Sequence, residues 1–237
     1  MHVGDHKAGS TAIQSALARG EVRLKEGRLV YPTIGARFNH NHLKMKGGGD
    51  RAAGLLRGRL GWPGARGGSG RKVPGFAEVA ARARKSDPDV TVLSGESLEA
   101  APPARLAAAL ARHFPVAPGR LTVISYLRPH ASRAISGLAE TIKIGWAGAD
   151  PWAARNALIT PKTPPARRVA AWRKAFGAAY VARPLVRSEL AQGNLLEDLF
   201  ATALGPGKIE LRSSPTANES LGVEDLMRLQ VIHLALP

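Results

Sequence analysis

The chain has 237 residues, 44% of them hydrophobic and 22% charged, which is typical of one folded domain and excludes a disordered or fibrous chain. The absence of cysteine excludes disulfides, zinc–thiolate sites and thiol nucleophiles, and no stretch approaches the roughly 18 apolar residues of a membrane span. A net charge of +16 predicts a surface that attracts phosphate, sulfate, nucleic acid or anionic saccharide. With no apolar signal segment at the N-terminus, we expect a cytoplasmic protein.

The first third of the chain predicts one helix followed by loops. A pair of hydroxyl residues, Ser10 and Thr11, can begin a helix, and the apolar periodicity that follows predicts this helix within 10–27. A loop-rich stretch comes next, and its glycine-rich part, 61–73, predicts a mobile loop inside the same domain.

The rest of the chain predicts strands that alternate with helices. Apolar runs rich in β-branched residues predict strands over 90–94, 121–127 and 179–182. Helical spacing of apolar residues, together with flanking prolines, predicts helices over 75–85, 103–114, 166–175, 194–203 and 222–235. This alternation predicts an α/β fold in which a central parallel sheet is covered by helices on both faces, a three-layer α/β/α arrangement.

A glycine-rich segment near the N-terminus has the composition of an anion-binding loop. The segment Gly4-Asp5-His6-Lys7-Ala8-Gly9-Ser10-Thr11 has the two glycines of a G-x-x-x-x-G loop, but Ser10 stands where a nucleotide triphosphatase has its lysine. Glycines let successive N–H groups converge, the following helix adds its positive dipole end, and Lys7 adds a movable cation. For the segment alone, an ordinary turn before a helix is the competing interpretation.

The predicted strand over 121–127 ends in a cation. A triphosphatase has a magnesium-binding aspartate at such a strand end, whereas this chain has Arg128 there, and Ser136 follows about two turns into the next helix. Taken singly, Arg128 could be a solvated arginine and Ser136 a small packing residue. Together with the Lys7 loop, the two favour a second phosphate site.

These two motifs resemble those of a known family. The segment His-Val-Gly-Asp-His-Lys-Ala-Gly-Ser-Thr-Ala-Ile-Gln, residues 2–14, is similar to the 5′-phosphosulfate loop of bacterial sulfotransferases, commonly H-I-G-x-x-K-T-G-T-T-x-I-Q. Arg128 and Ser136, eight residues apart, are similar to the pair with which that family binds the 3′-phosphate of 3′-phosphoadenosine 5′-phosphosulfate (PAPS). Less specific similarities to the same family lie at Tyr31-Pro32, 93–98, 181–184 and 218–221.

The resemblance implies a single sulfotransferase-like domain over residues 1–237, with a P-loop-containing nucleotide-binding fold. It implies PAPS as the sulfuryl donor and no metal. The residues implied to bind this cofactor are Gly4, Asp5, His6, Lys7, Ala8, Gly9, Ser10, Thr11, Arg128 and Ser136.

Two features depart from the family pattern. Ala8 replaces the usual serine or threonine, and only three residues precede the loop where the family has a full central strand, so the first strand is expected to be truncated. A sulfotransferase fold that is catalytically degenerate is therefore an alternative to an active enzyme.

Sulfuryl transfer is an in-line displacement, and it needs a cation at the leaving group and a base for the acceptor. Lys7 is the candidate for the leaving-group side. Three residues are candidates for the base: His40 and His42 in the polar loop, and Glu96 directly after the strand over 90–94. The pair of histidines has no third ligand at a suitable spacing, so no metal site is predicted.

The acceptor is expected to be a hydroxyl or amine of a carbohydrate or small molecule. Two stretches, between Asp50 and Glu78 and over 151–188, have basic residues and no acid, which is compatible with an anionic acceptor. A module that binds nucleic acid or another polyanion is the alternative from a different class. It requires aromatic residues among the basic ones, and aromatics are only 5% of the chain, so nucleic acid is not the expected partner.

Overall fold

The computed structural model of the protein describes residues 1–4, 8–34, 38–43, 75–143, 165–212 and 222–235. Within these ranges, no helix combines the length and the apolar character needed to cross a bilayer. The mobile loop expected over 61–73 lies outside the described residues.

The centre of the described part of the molecule is a parallel sheet of four strands. Its strands are β1 (His2–Gly4), β5 (Ser94–Gly95), β6 (Val123–Leu127) and β7 (Tyr180–Pro184). Their order across the sheet is β5-β1-β6-β7, so the short first strand lies between two neighbours. In the register of β1 with β6, Gly4 is aligned with Tyr126.

Seven α-helices are present in the described part of the chain. They are α1 (Ser10–Ala18), α2 (Phe76–Arg84), α3 (Pro103–His113), α4 (His130–Lys143), α5 (Pro165–Phe176), α6 (Leu195–Leu204) and α7 (Val223–Ala235). Proline at the first position of α3 suits a helix start because its missing N–H has no partner there.

Helices flank the sheet on both faces, which is compatible with a three-layer α/β/α fold. Consecutive side chains of β6 point to opposite faces, so Val123 packs with residues of α2, α3 and α5, while Ile124 and Tyr126 pack with residues of α1 and α6. Each face of the sheet therefore has its own apolar core. The predicted α/β class and the central parallel sheet are confirmed.

The described residues also form two smaller sheets. Strands β2 (Val22–Leu24) and β8 (Ile209–Leu211) pair antiparallel, and strands β3 (Leu29–Val30) and β4 (Val90–Thr91) pair parallel. The sequence patterns did not predict β2, β3 or β8.

Two predicted elements are corrected. The helix expected within 10–27 ends at Ala18, because Gly20 adopts a φ of 68° and turns the chain toward β2. The strand expected over 90–94 is divided, since β4 pairs with β3 whereas β5 pairs with β1. The other predicted helices and strands are present with ends shifted by a few residues.

Candidate functional site

The candidate site lies at the carboxyl edge of the central sheet. Strand β1 ends at Gly4, β5 ends one residue before Glu96, and β6 ends one residue before Arg128. Parallel strands bring their carboxyl ends to one edge, where open α/β sheets bind ligands. The sequence-predicted residues Asp5, His6 and Lys7 lie outside the described residues.

The N-terminus of α1 is directed to this edge. Gly9 precedes the helix with a φ of 79°, and its carbonyl oxygen accepts hydrogen bonds from the N–H groups of Ala12 and Ile13. The first turn of the helix has no acidic residue, and no side chain among the described residues caps it. The positive dipole end of such a helix favours an anion.

Ala8, which departs from the family pattern, is part of the apolar core. Its side chain is fully buried and belongs to the same cluster as Ile13 and Leu196. A methyl group suits this position, because a hydroxyl there would need a hydrogen-bond partner inside an apolar cluster.

The end of β1 is closely surrounded by Ser10 and Glu96. A Cβ atom on Gly4 would overlap the Ser10 hydroxyl oxygen and would lie 3.3 Å from the Glu96 Cα atom. A larger residue at this position would therefore displace the Ser10 hydroxyl. The Ser10 side chain is 4% exposed, and its hydroxyl has no hydrogen-bond partner in the described part of the chain. A buried hydroxyl of this kind is normally satisfied, so an anionic oxygen in the loop is a suitable partner.

Glu96 begins a 3-10 turn, Glu96–Ala100, that neighbouring elements hold in place. The Ser97 N–H donates to the Asn41 side-chain oxygen at 2.9 Å, and Glu99 forms a mostly buried ion pair with Arg168 of α5. These contacts fix the backbone that carries Glu96, whose own side chain is half-buried.

His40 is held in the protein interior by backbone groups. The Ser94 N–H donates to its Nδ1 at 3.1 Å, which identifies Nε2 as the protonated nitrogen, and Nε2 donates to the Pro32 carbonyl oxygen at 3.0 Å. The side chain is 1% exposed, and burial lowers the pKa of His40 to about 4. Both ring nitrogens are thus engaged in holding the loop against β5, which argues against His40 as the base.

His42 lies in the short 3-10 turn Asn41–Leu43, with its ring 6.0 Å from the His40 ring. The turn packs on the one that begins with Glu96, through the bond from Ser97 to Asn41. His42 is half-buried, although the sequence places it in a polar loop.

Arg128 directly follows β6 and Ser136 lies in α4, as the sequence pattern predicts. Both side chains are half-buried. Ser136 is six residues into α4, which corresponds to about 9 Å along the helix axis. Arg128 follows the strand that is paired with β1, so it lies on the same edge of the sheet as Gly4.

A buried polar network that the sequence analysis missed supports this edge. The Asp198 carboxylate, 1% exposed, accepts from the Tyr126 hydroxyl at 2.7 Å, from Arg183 Nε at 3.1 Å and from the Ala191 N–H at 3.0 Å. Burial opposes ionisation, but hydrogen bonds from Arg183 and Tyr126 hold the pKa of Asp198 below its usual value. In the sequence analysis, Arg183 was noted only as part of the segment 181–184, which is similar to the resembled family.

His2 adds a second buried polar group near the site. Its Nδ1 lies 2.8 Å from the Ser94 hydroxyl oxygen, and its ring is 6.0 Å from that of Tyr126. Burial lowers the pKa of His2 to about 3, so the ring is neutral and serves the packing between β1 and β5.

No family model, no curated protein and no solved structure matches the chain. Among the described residues, no three histidine, aspartate or glutamate side chains are grouped closely enough to hold a metal ion. Inferences about function therefore rest on the residues and the geometry of the carboxyl edge.

Proposed function

We propose that the protein is a sulfotransferase that moves the sulfuryl group of PAPS to a hydroxyl or amine of a carbohydrate or small-molecule acceptor. One observation carries the proposal: the buried Ser10 hydroxyl, which has no hydrogen-bond partner among the described residues, lies beside the glycine end of β1, at the N-terminus of α1. On the neighbouring strand, Arg128 stands where a nucleotide triphosphatase has a metal-binding acid.

The residues at this edge fit a bisphosphorylated nucleotide. Gly4 lets the Ser10 hydroxyl lie close to the end of β1, and this hydroxyl and the N-terminus of α1 supply donors for anionic oxygens. Arg128 and Ser136 supply a second set of donors for the 3′-phosphate. When bound, PAPS supplies an activated sulfuryl group together with a bisphosphate leaving group.

Lys7 and Glu96 have the two catalytic roles in this proposal. Lys7 neutralises charge on the departing oxygen. Glu96, fixed beside Gly4 and Ser10, accepts the proton that the acceptor oxygen or nitrogen loses as it bonds to sulfur. His42 is the second candidate for the base, because its turn packs on the turn that begins with Glu96. The chain has no cysteine, which fits a reducing compartment, and we place the enzyme in the cytoplasm.

Calorimetric titration with adenosine 3′,5′-bisphosphate tests the binding step. We expect binding without metal that is weakened about 10- to 100-fold in Arg128→Ala, the usual cost of losing a charged hydrogen bond to phosphate. Arg120→Ala is the matched control, because Arg120 precedes the strand that Arg128 follows and lies at the opposite edge. Lys7→Ala tests the loop in the same assay.

Three outcomes would overturn the proposed binding site. The first is no binding of the bisphosphate. The second is equal weakening in Arg120→Ala and Arg128→Ala. The third is equal affinity for any polyanion with a steep dependence on salt, which would favour a basic polyanion-binding module instead.

Turnover assays test which residue acts as the general base. Glu96→Gln should lower kcat about 10²- to 10³-fold and leave bisphosphate affinity within about two-fold, because the carboxylate acts on the acceptor. His42→Gln is the comparison variant. If His42→Gln lowers kcat strongly while Glu96→Gln changes it little, His42 is the base instead of Glu96. If the wild type binds the bisphosphate but shows no turnover, the protein is a degenerate enzyme.

A further inference from the structure

One helical layer of the molecule has a basic outer surface. The helices α2, α3 and α5 lie on one face of the central sheet, and α3 packs against both of the others. Helices α3 and α5 contain no acidic residue, and the Glu78 carboxylate of α2 accepts a hydrogen bond from the Gly75 N–H at 2.9 Å. We call this surface the basic face, and define it by the exposed residues Arg82, Arg105, Arg112, Arg167, Arg173 and Lys174.

The helices on the opposite face of the sheet differ in charge. Helices α1 and α6 contain no lysine or arginine, and α6 contains Glu197 and Asp198. Both layers bury an apolar core of their own, so packing does not account for the different charges. The positive charge of the basic face is therefore a feature of the surface, suited to an anionic partner.

The cations of the basic face are spread in two directions. Arg105 and Arg112 are seven residues apart on α3, and Arg167 and Lys174 are seven residues apart on α5. This spacing is about two helical turns, or roughly 10 Å along each axis, and packed helix axes lie about 8–10 Å apart. The four side chains are therefore spread over a patch and do not form a single stripe.

Helices α3 and α5 run in the same direction. The first turn of α5 lies at the carboxyl edge of the sheet, because Arg168 forms an ion pair with Glu99, which follows β5. Helix α3 also begins after β5, and the two helices lead to the beginnings of β6 and β7. The basic face thus extends from the carboxyl edge of the sheet to the opposite edge.

The exposed residues between these cations are mostly alanines, such as Ala108 of α3 and Ala170 of α5. Because alanine is short, the charged groups extend furthest from the surface. The three helices expose no aromatic, large aliphatic or amide side chain. They therefore lack the groups that stack on unpaired bases or bind base edges, whereas their cations can approach a broad anionic surface closely.

We propose that the basic face is a docking surface for a lipid bilayer that contains anionic headgroups. A bilayer presents its negative charge over a plane, so it matches cations that are spread over a face. Because the three helices expose no large apolar side chain, the contact is electrostatic and is weakened by salt. This inference concerns a surface outside the candidate site and does not depend on the proposed sulfotransferase activity.

Co-sedimentation with vesicles tests the proposal at about 0.1 M salt, where exposed charges more than about 10 Å apart are largely screened. The probes are vesicles of phosphatidylcholine alone and vesicles in which about one-third of the lipid is phosphatidylglycerol. The wild type should bind only the anionic vesicles. The triple variant Arg105→Gln, Arg167→Gln, Lys174→Gln should bind them about 100-fold more weakly, which is about five-fold for each cation removed.

The triple variant Lys25→Gln, Lys208→Gln, Arg212→Gln is the matched control. It removes the same charge from exposed residues beside β2 and β8, whose Val22 and Ile209 belong to the apolar core on the opposite face of the sheet. We expect its affinity for anionic vesicles to lie within about three-fold of the wild type, because charges far from the lipid are screened. Glutamine is a good helix former, so both triple variants should keep the Tm of the wild type.

Three results would overturn the proposal. The first is no binding of the wild type to anionic vesicles, or equal binding to vesicles of phosphatidylcholine alone. The second is equal weakening in the two triple variants, since net charge and not this face would then attract the lipid. The third concerns a DNA duplex of about 20 base pairs. If the wild type binds this duplex but not the vesicles, and only the variant of the basic face loses duplex binding, the partner is a nucleic acid and not a bilayer.

Discussion

The two edges of the central sheet differ in the kind of side chains that lie beside them. At the carboxyl edge, residues with polar side chains follow the strands: Glu96 follows β5, Arg128 follows β6, and Ser10 begins α1 beside the end of β1. At the amino edge, an apolar cavity lies in line with β1. The same strands thus position candidate chemistry at one edge and only packing at the other. Changes at the two edges should therefore separate ligand binding from stability.

The largest expected effects on the free energy of unfolding come from substitutions of two adjacent residues of α6. One of these residues packs toward the carboxyl edge of the sheet and the other toward the amino edge. Asp198→Ala removes the carboxylate that pairs with Arg183 and Tyr126, and we expect it to lower the free energy of unfolding by about 3–5 kcal/mol. Leu199→Ala opens space beside the amino-edge cavity and should cost about 2–5 kcal/mol. Urea unfolding measures both values.

Bisphosphate binding distinguishes these two variants. Tyr126 is two residues before Arg128, so loss of the Asp198 network should loosen the arginine and weaken binding, whereas Leu199→Ala should bind as the wild type does. Binding should be measured at a temperature where both variants are folded. Equal affinities in the two variants would contradict the idea that the network supports the carboxyl edge.

Much of the fold is predictable because its main elements are encoded locally. Pro103 and the apolar spacing of Leu106 and Leu110 predict α3, and its first residue in the structure is Pro103. The elements that were missed depend on distant partners. Strand β2 pairs with β8 from the other end of the chain, and neither segment has a pattern long enough to predict a strand alone.

In the candidate site too, side chains that depend on distant partners could not be predicted from the sequence. The positions of Glu96 and Arg128 after strands follow from the sequence pattern, and the parallel sheet then brings them to one edge. The Asp198 network could not be predicted, because its members come from β6, β7 and α6. The sequence places His40 in a polar loop, whereas its burial depends on backbone groups of Pro32 and Ser94.

The burial of His40 predicts a pH dependence of stability at the carboxyl edge. The folded protein holds its pKa at about 4, whereas the unfolded chain has the ordinary value of about 6.5. Between these values the unfolded state binds the extra proton, so stability is full above about pH 6.5 and falls as pH decreases toward 4. The contribution of His40 over this interval is about 3 kcal/mol.

His40→Gln tests this contribution, because a glutamine can accept from the Ser94 N–H and donate to the Pro32 carbonyl oxygen without titrating. The slope of unfolding free energy against pH between 4 and 6.5 should then decrease by about 1.4 kcal/mol per pH unit. His2 and the Met1 amino group, whose pKa values are also lowered, account for part of the slope that remains. His130→Gln, which makes the same substitution at an exposed histidine, is the control variant. An unchanged slope in His40→Gln would mean that His40 is accessible to protons in the folded state, and it would return this histidine to the candidates for the base.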